Sequence, residues 1–244
     1  MTDFFMFLTI ITMAAAPLCG QHLMPDPQAY RITSVSIADV RANKVIPAQD
    51  VYIRDGRIVR VQPSGSQAFP GEWRPLDGTG KFLMPGISEM HAHIPVPRDG
   101  DDSNVRETLF LYLSNGITTI RGMLGNPYHL ELKEMIARDE VLSPRVYTSS
   151  PSLNGNSVQT PEEAQRKVTQ YATDGYDFLK IHPGIALPVM ERLVSTAQAE
   201  GIPFAGHVPH DVGVRRALAF GYASIDHADG YIEGLMPPGT DLNQ

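Results

Sequence analysis

The sequence holds a single cysteine, Cys19, among 244 residues. One thiol excludes an intrachain disulfide framework and any Cys-rich zinc or iron–sulfur site. Basic side chains are outnumbered, 20 Lys and Arg against 27 Asp and Glu, for a formal charge of -7. That balance argues against a nucleic-acid partner, which needs a basic surface to neutralise phosphates. A Gly-rich phosphate loop is missing, which disfavours a metal-free α/β barrel that binds a phosphorylated ligand. The 21 glycines and 20 prolines are dispersed, so they punctuate turns and do not mark low complexity. What is there, 42% hydrophobic and 19% charged, is an ordinary globular composition. The length suits one large domain, or a medium one with a small companion.

Phe4–Ala16 is an uncharged apolar run, shorter than the about 20 residues a bilayer span takes. Its length and the small residues Ala14, Ala15 and Ala16 suit a secretory signal peptide, although no Lys or Arg precedes Arg31. Residues 1–20 are therefore read as a signal peptide and 21–30 as a linker, with export to the periplasm or medium expected. The alternatives are a buried N-terminal strand or helix and a membrane anchor, and Cys19 could also carry a lipid, against which Pro17 and Leu18 speak.

Residues 31–84 read as β. Asp50–Arg54 and Arg57–Val61 alternate on either side of Asp55-Gly56, the strongest short-range hairpin signal. This segment carries no catalytic constellation and is read as a small β-sandwich domain. From Pro85 the pattern changes to short apolar strands alternating with helix-length amphipathic segments. The expected strands are Ile87–Ile94, Ile117–Met123, Arg145–Ser150, Asp177–His182, Pro203–Val208 and Ser224–Asp229. Among the helices, Thr160–Asp174 opens with an N-cap, Pro161 and two glutamates, and Gly175, Gly201 and Gly221 stand as helix stops. A repeating βα pattern gives a parallel sheet, open or closed. A closed eight-unit barrel takes about 200–250 residues. Residues 85–244 have room for five or six units, so either the fold is not a barrel, or it is an incomplete (β/α)8 TIM-like barrel, the chain being a fragment that stops before the last strands.

Polar residues arrive at the strand ends. His91 and His93 are two apart and so share a face. Lys180 lies in the otherwise apolar Phe178–His182, where a lysine is costly unless paired or neutralised. His207 and His227 each come three or four places into a short apolar run. The spacings from His93 to Lys180, to His207 and to His227 are one to three βα repeats, so these five side chains can converge on one mouth and share a metal ion. Weaker candidates for substrate contact are Arg121, His182 and Tyr231. His129 and His210 read as solvated loop histidines, and Trp73 as packing in the β domain.

Leu83–His93, Asn115–Arg121, Phe178–His182, Gly206–Pro209 and Ser224–His227, in that order, resemble the amidohydrolase superfamily, in its imidazolonepropionase-like and Xaa-Pro dipeptidase-like branch. The resemblance implies that residues 85–244 are part of a metal-dependent amidohydrolase barrel. It implies that His91 and His93 bind the more buried metal, that Lys180 is carboxylated and bridges two metals, and that His207 and His227 hold the second. The divalent ions would be one or two Zn, since imidazole and oxygen ligands suit zinc, with manganese, cobalt or iron as further candidates. The resemblance further implies hydrolysis of a carbon–nitrogen bond in an amide, cyclic amide or dipeptide, a metal lowering the pKa of a water from about 15.7 to near 7.

Two features depart from the family pattern. The general-base aspartate at the end of strand eight has no counterpart, Asp241 being too close to His227, so poor turnover is expected despite the ligands. Gly122 stands where relatives carry an acidic residue after Arg121. A catalytically inactive metal- or ligand-binding derivative of the fold is the alternative reading. The expected partner is a small molecule or dipeptide, and the uncovered edge of an incomplete barrel is expected to favour self-association.

Overall fold

The computed structural model describes residues 29–237. The expected signal peptide, Cys19, most of the linker and Asp241 lie outside the described residues.

The first five strands are β1 (Tyr30–Asp39), β2 (Lys44–Arg54), β3 (Arg57–Pro63), β4 (Arg74–Asp77) and β5 (Phe82–Leu83). The Asp-Gly hairpin forms as the sequence predicts. Asp55 and Gly56 both take positive φ, 51° and 69°, the two-residue geometry that matches strand twist. The strands lie in the order β3-β2-β1-β4, with β5 pairing β1 beyond β4. β2 runs antiparallel to β1, and β4 and β5 run parallel to it. Among the described residues this is one mixed sheet and not a β-sandwich. Alternation in these strands reveals a half-buried face but not what covers it. Tyr52, Phe69 and Trp73 pack edge to face around that face, with centroids 5.0 to 5.8 Å apart.

The remainder alternates strand and helix. It comprises β6 (Ile87–Ala92), α1 (Ser103–Ser114), β7 (Ile117–Gly122), α2 (Pro127–Ala137), β8 (Arg145–Thr148), α3 (Pro161–Asp174), β9 (Leu179–Ile181), α4 (Leu187–Glu200), β10 (Phe204–Gly206), α5 (Gly213–Phe220) and α6 (Tyr231–Leu235). Strands β6, β7 and β8 form a parallel ladder, as do β9 and β10. Parallel bridges Ser149 to Phe178 and Leu153 to Ile181 join the two ladders, and Gly206 to Ile225 adds a sixth track. The sixth expected strand is thus reduced to one bridge. These tracks form a parallel arc of strands alternating with helices, an α/β arrangement as expected.

The helices are set by local signals and held by packing. Thr160 accepts from the Glu163 N–H and the Glu163 carboxylate reaches back, a reciprocal cap on α3. Gly175, Gly201 and Gly221 close α3, α4 and α5 in the left-handed conformation. α4 buries Val189, Met190, Leu193, Val194 and Ala197 against β9 and β10. Truncating a fully buried leucine such as Leu193 costs about 2–5 kcal/mol. At the two ends of the arc apolar side chains are exposed: Ile87 and Met90 on β6, and Ile232 and Leu235 on α6.

His129 differs from its expected place. It sits on α2, 1% exposed, and not in a solvated loop. His210 is exposed, as expected.

Candidate metal centre

β6 ends at Ala92, and His91 and His93 project from its carboxyl end. Their rings stack with centroids 5.5 Å apart and 13° between planes, as two residues on one strand face should. His227 follows the Gly206–Ile225 bridge, and its ring lies 4.8 Å from that of His91. His207 comes directly after β10, with its ring 5.0 Å from that of His227. His182, just past β9, lies 4.9 Å from His207. Five imidazoles therefore run in a row, His93–His91–His227–His207–His182, across the carboxyl ends of the strands.

Gly206 makes the last approach feasible. Its φ is 134°, and a Cβ there would fall 2.2 Å from the Ile181 carbonyl oxygen. Only glycine lets β10 lie this close to β9 immediately before His207.

Lys180 is 1% exposed, and its ammonium meets the Asp226 carboxylate in a short ion pair. The buried lysine is thus paired, as its position demands. Asp226 Oδ2 also lies 3.5 Å from His91 Nδ1, and Oδ1 lies 3.8 Å from the Arg121 guanidinium. Donor atoms of His91, Asp226 and His227 all fall within 4.8 Å of one another. Of the five ligands predicted from sequence, His91 and His227 are in this cluster and His93 and His207 flank it. Lys180 touches it through Asp226.

Asp226 was not singled out in the sequence. Successive residues on a strand face opposite ways, so a residue beside His227 would be expected to point away from it. The backbone breaks that alternation. His227 and Ala228 both have φ of 56°, a left-handed conformation costing about 1–2 kcal/mol per residue. Asp229, also missed, receives His207 Nδ1 at 2.7 Å. This fixes the proton on Nδ1 and leaves the Nε2 lone pair available to a cation.

Burial pushes His91 below the ordinary histidine value, with the Asp226 carboxylate pulling the other way. Burial also pushes His182 down to about 4, helped by Lys180 and His207. Both rings are therefore neutral near pH 7. The His91 and His227 imidazoles beside the Asp226 carboxylate, with His207 adjoining, are a donor set that suits a divalent ion.

The weaker candidates divide. Arg121 donates to Ser224 Oγ at 2.7 Å and covers the Phe178 ring at 5.2 Å, a core-edge arrangement that crosses the arc. His182 joins the row of rings. Tyr231 starts α6 and is 44% exposed. A Cβ on Gly122 would sit 3.0 Å from Ile94 Cδ1, so an acidic side chain there would need the end of Ile94 to shift.

Residues 82–239 match the Amidohydrolase family model. An adenine deaminase of Ruegeria sp. (strain TM1040) is 25% identical over 69% of this chain, covering 30% of its own length. One from Ruegeria pomeroyi is 23% identical over 85% of this chain and 36% of its own. Among solved structures, a candidate prolidase from Bifidobacterium longum superposes with a TM-score of 0.70 at 27% identity, over 82% of this chain and 54% of that one. The chain thus spans about a third of the length of these curated relatives and about half of that structure.

Proposed function

This chain belongs to the amidohydrolase family, and from that premise we propose that it carries the metal site of a hydrolase acting on carbon–nitrogen bonds in amides, cyclic amides or dipeptides. The observation that carries this reading is the His91–Asp226–His227 cluster, with donor atoms within 4.8 Å at the carboxyl ends of parallel strands. His91, His93, His207 and His227 would hold one or two divalent ions, zinc being the best match to the donors. Bound there, an ion supplies Lewis acidity toward a substrate carbonyl and acidifies a water. The chain's own residues do the positioning. Asp229 holds His207 with Nε2 unprotonated, and Arg121 ties Ser224 to the far side of the arc.

Lys180 would join the ligand set as a carbamate, its neutral amine adding carbon dioxide and releasing a proton to water. The amine would first leave Asp226, because a carbamate and a carboxylate repel. Asp226 would then keep the Arg121 and His91 contacts. The adenine deaminase and prolidase relatives support C–N hydrolysis and frame the substrates to try.

The test is metal content and turnover together. The zinc-supplemented chain should retain ion through dialysis, and His91→Asn with His227→Asn should lose it at unchanged circular dichroism. Release of proline from Xaa-Pro dipeptides and of ammonia from adenine should be assayed on the same samples. Equal ion content in both proteins would remove the proposal. Export by way of Phe4–Ala16 belongs to the same reading, and recovery of a tagged chain only in the cytoplasm would count against it.

A further inference from the structure

One hydrogen-bonded chain beside the cluster has a direction that can be worked out. The loop after β8 is fastened to the segment after β9: His182 N–H donates to the Leu153 carbonyl at 2.8 Å and Gly155 N–H to that of Pro183 at 3.2 Å. The contact is so close that a Cβ on Gly155 would lie 2.2 Å from the Gly184 oxygen. Within the loop, Asn154 Oδ1 accepts from the N–H groups of Asn156 and Ser157, at 2.9 and 3.0 Å. Two donors on one atom identify it as the oxygen, so the other amide atom is the NH2. That NH2 donates to Ser152 Oγ at 2.9 Å. Ser152 Oγ lies 2.7 Å from His182 Nδ1. The Ser152 hydroxyl has one proton and, among the described residues, no other acceptor for it. A bare His182 Nδ1 gives that proton an acceptor, whereas a protonated Nδ1 would leave it none among the described residues.

We propose that Asn154 and Ser152 are positioning residues that lock His182 as the Nε2–H tautomer, making it a hydrogen-bond donor to a substrate carbonyl oxygen and not a metal ligand. Nε2 has no hydrogen-bond partner among the described residues and is not among the buried polar atoms left unpaired, so it is accessible. Its ring stacks on His207 at 4.9 Å and 24°, which places this donor beside the proposed ion site. An Nε2 that carries a proton has no lone pair for a cation. A donor aimed at an oxygen that gains charge during carbonyl attack is the element such a reaction uses. The inference rests on the hydrolase reading for its substrate class, but the relay itself does not.

Long-range proton–nitrogen correlation spectra of the histidine-labelled, zinc-supplemented chain at pH 7.5 test it, with His182→Gln assigning the ring. The expected result is the Nε2–H form. Asn154→Asp is the decisive variant. It keeps the two backbone contacts but replaces the NH2 by an acceptor, so the Ser152 proton turns toward residue 154 and His182 switches to Nδ1–H. Ser152→Ala, which tolerates loss of the loop contact, should abolish the preference and give a mixture. An Nδ1–H ring in the unmodified chain, or a tautomer unchanged in both variants, overturns the proposal. Metal content is read on the same samples: ion missing throughout with the tautomers as stated would remove the hydrolase reading and leave the relay standing.

Discussion

Two buried carboxylates carry opposite lessons. Asp50, in the N-terminal sheet, is 1% exposed and bonded on all sides. Arg31 donates to Oδ2 at 2.5 and 3.2 Å, and Ser34 N–H and Ser64 Oγ reach Oδ1 at 3.0 and 2.8 Å. These bonds outweigh its burial and hold its carboxyl below the usual range. They also pin the β1 bulge at Ser34, whose φ is 54°. Asp226, at the mouth of the arc, is 7% exposed but has one close partner, Lys180. Its other neighbours, His91 and Arg121, stand off at 3.5 and 3.8 Å. A buried carboxylate with its acceptor sites filled is scaffold. One with spare capacity beside a row of imidazoles is placed to exchange partners.

The largest effect should come from the scaffold. Asp50→Ala leaves the part-exposed Arg31 guanidinium without its partner and the Ser34 N–H and Ser64 hydroxyl without their acceptor, and should cost about 1–3 kcal/mol in urea unfolding. Ion content of the folded fraction should not change. Loss of ion together with stability would erase the distinction between the two sites.

The second break replaces each pair by apolar residues. Lys180→Met with Asp226→Leu should be neutral or stabilising by about 1–4 kcal/mol, as buried ion pairs often are when both partners go. It should abolish tight ion binding. Arg31→Met with Asp50→Leu should still destabilise, because the Ser34 N–H and Ser64 hydroxyl lose their acceptor. Equal stability changes for the two double variants would show that Asp226 is scaffold after all.

How much of this was legible in the sequence follows from the range of each signal. Asp55-Gly56 and Thr160-Pro161-Glu162-Glu163 act within four residues, and both formed as read. His91 and His93 needed only strand alternation. Asp226 was hidden by that same rule, because nothing in Ile225-Asp226-His227-Ala228 announces two left-handed residues. Asp229 sits 22 positions from His207, and Ser152 sits 30 from His182, so only the fold unites them. His129 was misjudged although Asn126-Pro127 before it is a helix start, with Asn126 Oδ1 capping Tyr128 N–H at 3.0 Å. The second layer expected of the N-terminal domain was an inference from periodicity about contacts that periodicity does not encode.

A smaller effect isolates Asp229. Its side chain is 29% exposed, so its ion pair with His207 contributes little to folding. Asp229→Ala frees His207 to move its proton onto Nε2. Ion affinity should fall about 10–100-fold, with unfolding shifted by no more than about 0.5 kcal/mol. Competition titration against a chromophoric chelator measures the first and urea unfolding the second. A loss of stability without loss of affinity would put Asp229 on the scaffold side with Asp50.

The smallest effect concerns a third buried polar group, His129, which lies in the arc but resembles Asp50 in being enclosed. Burial pushes its imidazole below the ordinary value of 6.5, more strongly than the carbonyls of Pro95 and Ile94 raise it. The folded chain therefore binds this proton less readily than the unfolded chain does. As pH falls below 6.5 the unfolded state protonates first, so stability is complete above that pH and declines beneath it. His182, held at about 4, adds a decline of the same sign between the two values. His129→Leu keeps the volume and removes the titration. Its unfolding free energy should drop less between pH 7 and pH 5 than that of the unmodified chain, although it forfeits the 3.4 Å contact with the Thr148 hydroxyl at every pH. Parallel pH profiles would show that His129 is exposed to solvent in a way its burial forbids, and an enclosed histidine would no longer stand as the arc's counterpart to Asp50.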